Sequence, residues 1–213
     1  MTNQEKPILL YVFDPLCGWC YGFSPVMVQL YNEYKSQIEF DAISGGMVVG
    51  DRIGPLSEKA PYIKGAYKVV EEKMNVKFGD KYINKVLAEG TAIQTSIPSS
   101  KLFVAFKSLD NSKAILFAHE LQNAIYFYGI HPDDTEGLLE NCETFGVNKE
   151  SIMTIASSEK VIPVMEHDFE LSSRLGVTGF LTVFIIKDNA INVVARGADS
   201  YENVKSNINS ILK

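Results

Sequence analysis

A pair of cysteines, Cys17 and Cys20, follows closely on an uninterrupted apolar run at residues 8–13. The run does not alternate between apolar and polar residues, which predicts a strand that is covered on both faces. The next residues have helical spacing, so Cys17 falls at a helix N-terminus, where unpaired N–H groups and the helix dipole favour a thiolate. Cys20 lies one turn later on the same face, where it can form a disulfide with Cys17. The sequence therefore predicts a buried strand followed by a helix that carries a redox pair.

The composition limits the class of protein. The chain has 213 residues, of which 46% are hydrophobic and 22% charged, as in ordinary globular proteins. A net charge of −6 argues against a nucleic-acid partner. No apolar run approaches the roughly 20 residues of a membrane helix, and the polar residues 1–7 lack the features of a signal peptide. We therefore expect a cytoplasmic protein without a nucleic-acid or membrane partner.

The rest of the chain predicts an α/β fold. Helical spacing extends the first helix over residues 17–35, with a kink at Pro25, and a second strand is predicted over 37–44. Two strands, at 180–186 and 190–195, flank the hairpin turn Asp188-Asn189. Further helices are predicted at 61–74, 80–89, 99–109, 112–128, 134–145, 149–157, 164–175 and 201–212.

The order of these elements predicts two domains. Residues 1–54 read as β-α-β and residues 165–213 as α-β-β-α, while residues 55–164 have only helical texture. We predict that the two outer segments form one domain, with a parallel first pair of strands and a terminal hairpin. Residues 55–164 would form an all-helical domain inserted into it.

The motif residues carry a resemblance to a known family. Asp14-Pro15-Leu16-Cys17-Gly18-Trp19-Cys20, the later Pro25, the helical insertion and Gly176-Val177-Thr178-Gly179 resemble the DsbA-like thioredoxin superfamily. The similarity is greatest to its cytoplasmic, FrnE-like protein-disulfide isomerase branch, and it covers nearly the whole chain. The resemblance implies a thioredoxin-like fold split by a large helical insertion.

The resemblance also implies an enzyme, a thiol-disulfide oxidoreductase. Cys17 would be the exposed nucleophile, and Cys20 the buried cysteine that resolves the mixed disulfide. Gly18 and Trp19 would tune the stability of the Cys17 thiolate. Asp14 is a further candidate for redox tuning, because a carboxylate three residues before Cys17 could relay protons to Cys20. The simpler interpretation, which we favour, is that the Asp14 side chain caps the turn.

The sequence departs from the family pattern at Leu181. The family places a cis proline there, facing the active disulfide, and the loop docks the substrate main chain. A cis bond costs about 2.5–4 kcal/mol before leucine but about 0.5–1 kcal/mol before proline. We therefore expect a trans Phe180–Leu181 bond, and we take Phe180 and Leu181 as candidate substrate-binding residues.

No metal site is predicted. His119, His131 and His167 are scattered, and no second Cys-x-x-Cys accompanies the first. Cys142 lies in an amphipathic pattern and is interpreted as a small buried hydrophobic residue, with a regulatory or resolving thiol as the alternative.

Three functional hypotheses follow. The favoured one is a cytoplasmic DsbA-family enzyme that exchanges disulfides with proteins or small molecules through its Cys-Gly-Trp-Cys pair. It would need cellular thiol reductants and no bound cofactor, with glutathione as a candidate redox partner. The second is a glutathione-dependent isomerase or transferase of the kappa-class or hydroxychromene-carboxylate isomerase type, although those proteins usually carry a serine. The third is a redox-impaired binding module that lost turnover through Leu181.

Overall fold

A computed structural model describes residues 6–213, so part of the polar N-terminal segment, residues 1–5, lies outside the described residues. The strands are β1 (Ile8–Phe13), β2 (Glu39–Ser44), β3 (Gly54–Pro55), β4 (Ile93–Gln94), β5 (Thr182–Lys187) and β6 (Ala190–Arg196). The helices are α1 (Gly18–Tyr34), α2 (Ala60–Met74), α3 (Leu87–Glu89), α4 (Ile97–Leu109), α5 (Ala114–Tyr126), α6 (Lys149–Ala156), α7 (Val161–Arg174) and α8 (Tyr201–Leu212). A π-helical turn, Tyr82–Val86, leads into α3.

The central sheet has the order β2-β1-β5-β6. β1 pairs in parallel with β2 and antiparallel with β5, and β5 and β6 form a hairpin. Asp188 and Asn189 both have positive φ angles, 51° and 61°, as a two-residue turn of type I′ requires. The predicted α/β fold, with its parallel first pair and terminal hairpin, is confirmed.

β1 is covered on both faces, as its apolar run predicts. Leu9, Tyr11 and Phe13 point into the large core cluster, whereas Leu10 and Val12 belong to a smaller cluster on the other face. The large cluster also contains much of the inserted segment, so the helices pack directly on the sheet.

Helix α1 runs through Pro25 without interruption. Proline has no N–H, so it cannot donate to the carbonyl of Tyr21, four residues earlier. The Ser24 hydroxyl donates to that carbonyl instead, at 2.8 Å. Gly22 allows α2 to approach, since a Cβ there would lie 2.6 Å from Val70 Cγ1.

Two expectations about the insertion were wrong. Residues 134–145 form two 3₁₀ turns, Gly137–Leu139 and Cys142–Phe145, in place of one helix. The Asp134 carboxylate accepts a hydrogen bond from the N–H of Gly137, which competes with helical pairing. The insertion is also not entirely helical, because β3 and β4 form a two-stranded ladder. Strands of two residues are too short to give a periodic signal.

Candidate active site

Cys17 is the N-cap of α1 and lies in a short segment, residues 14–20, that we call the motif turn. The Cys17 backbone is extended, with φ −89° and ψ 108°, and its N–H donates to the Asp14 carbonyl at 3.0 Å. The N–H of Cys20 donates to the Cys17 sulfur at 3.2 Å. The helix N-terminus thus offers a backbone donor to this sulfur, which favours negative charge there.

The two cysteines differ in access to solvent. Both are free thiols in the structure, and Cys17 is 5% exposed whereas Cys20 is fully buried. Burial raises the pKa of Cys20 well above its usual value, and the neighbouring Cys17 sulfur adds to this effect. Of the two sulfurs, only that of Cys17 can meet a substrate, and Cys20 is held as a thiol.

Asp14 lies beneath the motif turn and is fully buried. Its carboxylate accepts hydrogen bonds from the N–H of Leu16, the N–H of Met47 and the hydroxyl of Ser96, at 2.7–2.9 Å. Burial raises the pKa of Asp14 to about 6, although these hydrogen bonds oppose the shift. The side chain therefore caps the turn, as favoured from the sequence, and also ties it to the β2–β3 connection and the insertion.

The segment opposite Cys17, residues 179–182, is called the facing loop here. Its Phe180 carbonyl accepts a hydrogen bond from the Cys17 thiol, with a sulfur–oxygen distance of 3.7 Å. The Phe180–Leu181 bond is cis, so the expectation of a trans bond was wrong. That expectation considered only the isolated bond, whereas tertiary packing also determines the loop: Leu181 is fully buried, and Thr182 pairs with Arg196.

The ring of Phe180 packs against Gly45 at the end of β2. A Cβ at Gly45 would lie 1.9 Å from Phe180 Cε1, so no other residue fits there without moving the ring. Gly45 therefore helps to set the position of the facing loop.

A cavity of about 410 Å³ opens beside Cys17. Gly18, Trp19 and Phe180 line it together with aromatic side chains of the insertion, namely Tyr62, Tyr67, Phe78, Tyr82 and Tyr126. The lining also contains two cationic residues, Arg52 and Lys59. The cavity is thus mainly apolar, with positive charge on one part of its wall.

The structure separates the predicted site residues into two groups. Cys17, Gly18, Trp19 and Phe180 line the cavity, whereas Cys20, Asp14 and Leu181 are buried beside it. Trp19 is half-buried, and a Cβ at Gly18 would make only an ordinary contact with Phe78, at 3.7 Å. Sequence reasoning missed the cavity residues Arg52 and Lys59, which carry no motif. It also missed Tyr11, a polar side chain within an otherwise apolar strand.

A serine–histidine contact elsewhere in the core is structural. Ser24 lies 2.6 Å from His119 Nδ1, and His119 Nε2 lies 2.9 Å from Asn123 Nδ2. Ser24 is 1% exposed and its hydroxyl donates to the Tyr21 carbonyl, so no substrate can reach it. Burial lowers the pKa of His119, which favours a neutral ring. These residues connect α1 to α5.

Residues 6–213 contain no cluster of three or more His, Cys, Asp or Glu side chains able to hold a metal ion. Within the same residues, no helix combines the length and the apolar character needed to cross a membrane.

Cys142 is buried in the second 3₁₀ turn and belongs to the large core cluster, in keeping with its interpretation as a small hydrophobic residue.

Comparison with solved structures supports the fold. A candidate protein disulfide isomerase from Nitrosomonas europaea has a TM-score of 0.86 and 21% identity, with 98% of each chain covered. The cytosolic disulfide reductase DsbM from Pseudomonas aeruginosa has a TM-score of 0.81 and 23% identity, over 96% of this chain and 98% of DsbM. A 2-hydroxychromene-2-carboxylate isomerase has a TM-score of 0.62 and 15% identity, with 96% of each chain covered. At these identities the likeness concerns the fold alone.

The family is established by a sequence model. The model of the DSBA-like thioredoxin domain matches residues 8–209, which is nearly the whole chain. No curated protein matches the sequence. The chain therefore belongs to the DSBA-like thioredoxin domain family, and it is a disulfide oxidoreductase or isomerase of thioredoxin fold.

Proposed function

We propose that the protein catalyses dithiol–disulfide exchange through Cys17 and Cys20, with glutathione as its redox partner in the cytoplasm. The observation that carries the proposal is the pairing of an N-cap sulfur that lines a cavity of about 410 Å³ with a fully buried thiol one turn later. In a reducing compartment, ambient thiols would keep the pair reduced and favour a reductase or isomerase direction.

The proposed reaction has two exchange steps. The Cys17 thiolate attacks one sulfur of a substrate disulfide, forms a mixed disulfide and releases the first substrate thiolate. Cys20 then loses its proton and attacks the Cys17 sulfur, which forms the internal disulfide and expels the second thiolate. Two electrons thus pass from the protein dithiol to the substrate, and both leaving groups take up protons. Two molecules of a thiol such as glutathione return the protein to the dithiol.

The cavity suits a small, partly apolar disulfide that carries carboxylates. Its aromatic wall provides apolar contact, and Arg52 and Lys59 supply positive charge for carboxylate groups. Glutathione has two carboxylates and a peptide backbone of suitable size. A structure of DsbM solved with GSH, with a TM-score of 0.79 and 22% identity over 96% of this chain and 98% of DsbM, also supports this choice of partner.

The test is equilibration of the protein in glutathione buffers of graded redox poise. Acid quenching, alkylation of free thiols and mass spectrometry would report the Cys17–Cys20 disulfide. Oxidation of the reduced protein by glutathione disulfide and glutathione-driven reduction of insulin would be assayed alongside. We expect a reversible internal disulfide and turnover that requires both cysteines. Failure to form the internal disulfide at any poise would overturn the proposal.

The same experiment separates the other two hypotheses. A glutathione-dependent isomerase would bind glutathione tightly without disulfide chemistry. The fold of the present chain is similar to that of the hydroxychromene-carboxylate isomerase. The presence of both cysteines argues against it. A redox-impaired binding module would form the disulfide but exchange it no faster than a model dithiol.

A further inference from the structure

Tyr11 occupies the middle of β1, directly behind the cysteine pair. It is 1% exposed and points to the α1 side of the sheet, where its ring stacks on Phe13 at 5.3 Å and lies 6.3 Å from the ring of Phe23. Phe23 is on α1, one turn after Cys20. Because the Tyr11 ring lies near the Phe23 ring, Tyr11 faces the buried side of α1. Both of these aromatic neighbours are phenylalanines, so the surroundings of the Tyr11 ring are apolar.

The Tyr11 hydroxyl is buried and has no hydrogen-bond partner within residues 6–213. Tyr11, Cys17 and Cys20 nevertheless belong to the same core cluster, on the face of the sheet that α1 covers. Burial raises the pKa of Tyr11 well above its usual value, with both sulfurs adding to the effect, so the phenol keeps its proton. The strand therefore holds a hydrogen-bond donor beside the buried thiol, without a bond to it in the reduced state.

An unsatisfied hydroxyl in a core is unfavourable relative to a phenylalanine of the same shape. The hydroxyl therefore does not stabilise the reduced protein. A role for it is to be sought in another protonation state of the cysteine pair. Such a state arises when Cys20 ionises, because a thiolate is a much better hydrogen-bond acceptor than a thiol.

We propose that the Tyr11 hydroxyl donates a hydrogen bond to the Cys20 sulfur as that sulfur becomes a thiolate and attacks the mixed disulfide. This inference rests on the proposed exchange function and assigns a residue to its second step. In that step the Cys20–Cys17 bond forms, the bond between Cys17 and the substrate sulfur breaks, and the leaving thiolate takes up a proton. The proton that Cys20 loses balances the proton that the leaving thiolate takes up, while Tyr11 retains its own.

Three other groups among the described residues act on Cys20 or on the cysteine pair, each in a different way. Asp14 raises the pKa of Cys20 through its negative charge, although its backbone opposes this effect. Tyr126, on α5, interacts with the sulfurs through charge, and burial raises its pKa well above the usual value. Cys17 is the atom under attack. Tyr11 is thus the neutral donor that β1 contributes.

The test compares Tyr11→Phe with wild type and with Tyr34→Phe in a single turnover. Tyr34 is a matched control, because it is 4% exposed on the same helix as Cys20 and its hydroxyl bonds to Asn209, away from the cysteines. Each reduced protein is mixed with excess glutathione disulfide, quenched with acid and analysed by mass spectrometry for the mixed and internal disulfides. Cys20→Ser supplies the reference for a mixed disulfide that cannot resolve.

We expect Tyr11→Phe to form the mixed disulfide at the wild-type rate and to resolve it roughly tenfold more slowly, or worse, since a hydrogen bond to a charged group is lost. The pH profile of resolution should move to higher pH in Tyr11→Phe alone. The thermal midpoint of this variant should be unchanged or higher, and Tyr34→Phe should resolve at the wild-type rate.

Resolution at the wild-type rate in Tyr11→Phe would overturn the inference, as would an equal slowing of both steps, which indicates a structural role. If wild type forms no mixed or internal disulfide, the proposed function itself fails. The two failures are therefore distinguishable.

Discussion

The motif turn and the facing loop meet at Cys17, but they are held by contacts of different range. In the motif turn, Leu16 bonds to Asp14 two residues away and Cys20 bonds to Cys17 three residues away. The facing loop brings Phe180 to the same sulfur across 163 positions of the chain. The hydrogen bond between Cys20 and the Cys17 sulfur is therefore encoded locally, although Asp14 also ties the motif turn to Met47 and Ser96. The surface that meets a substrate depends on tertiary packing throughout.

Replacing the nucleophile tests the chemistry of the motif turn and has the largest expected effect. Cys17→Ser should lower the rate of glutathione-disulfide reduction by roughly 10³-fold or more, because an alcohol is a poor nucleophile at neutral pH. Cys142→Ser is the matched control, since Cys142 is also buried but does not line the cavity, and it should retain the wild-type rate. Exchange that persisted in Cys17→Ser would place the chemistry outside the motif turn.

The pH dependence of stability tests how the motif turn is anchored. The pKa of Asp14 is raised from 3.8 to about 6 in the folded protein, so folding favours the protonated form. The resulting stabilisation is fully present below about pH 4 and is lost as pH rises through about 6, a loss of roughly 3 kcal/mol. Asp14→Asn should remove this contribution from the pH dependence of the free energy of unfolding, measured by urea titration at pH 4 and pH 7, and leave the contribution of Asp168.

Asp168 is the control for that experiment. It is buried on α7, and burial raises its pKa to about 6 as well, but it does not line the cavity beside Cys17. Asp168→Asn should flatten the pH dependence of unfolding in the same window and leave disulfide exchange unchanged. If Asp14→Asn left the slope intact, the carboxylate would not be the group that titrates.

Elements that depend on local contacts could be predicted from the sequence, and elements that depend on contacts between distant residues could not. β1 and α8 were predicted with the bounds that the structure has, and the hairpin turn at Asp188-Asn189 was placed correctly, because each depends on a local pattern. The cysteine pair at the start of α1 was also placed correctly, for the same reason. The helix predicted at residues 134–145 was wrong because the Asp134 carboxylate accepts a hydrogen bond from the N–H of Gly137, which competes with a weak helical pattern.

The missed parts of the site depend on long-range packing. The cis Phe180–Leu181 bond lies between a ring packed on Gly45 and a fully buried leucine, neither of which local sequence reveals. Arg52 lies 35 positions from Cys17 and no motif connects the two, yet both line one cavity. The division into domains at residues 54 and 165 stays a prediction, since one apolar cluster runs through both segments.

Gly45→Ala tests whether packing against Gly45 positions the facing loop. The added Cβ would lie 1.9 Å from the Phe180 ring, so the ring must move and take the facing loop with it. Overpacking of this kind should lower the free energy of unfolding by about 1–3 kcal/mol. The exchange rate should fall about tenfold to a hundredfold, because misplaced positioning groups slow reactions strongly.

Gly179→Ala provides the comparison within the same loop, because a Cβ at Gly179 meets nothing within 4 Å. It should exchange disulfides at close to the wild-type rate. The reactivity of Cys17 towards a small alkylating reagent should be similar in all three proteins, since the motif turn is unaltered. Loss of alkylation in Gly45→Ala would show that the two segments are not independent.

The smallest expected effect belongs to the charged part of the cavity. Arg52 is exposed, so its contribution to binding a carboxylate is that of a surface ion pair. Arg52→Gln should lower the second-order rate constant for oxidation of the reduced protein by glutathione disulfide by roughly twofold to fivefold, and the difference should shrink as salt is added. The neutral substrate 2-hydroxyethyl disulfide should be unaffected, and Arg174→Gln, which alters an exposed arginine at the end of α7, should change neither rate. Equal losses with both disulfides would mean that Arg52 acts by shaping the cavity near Gly46, whose carbonyl it contacts, and not by charge.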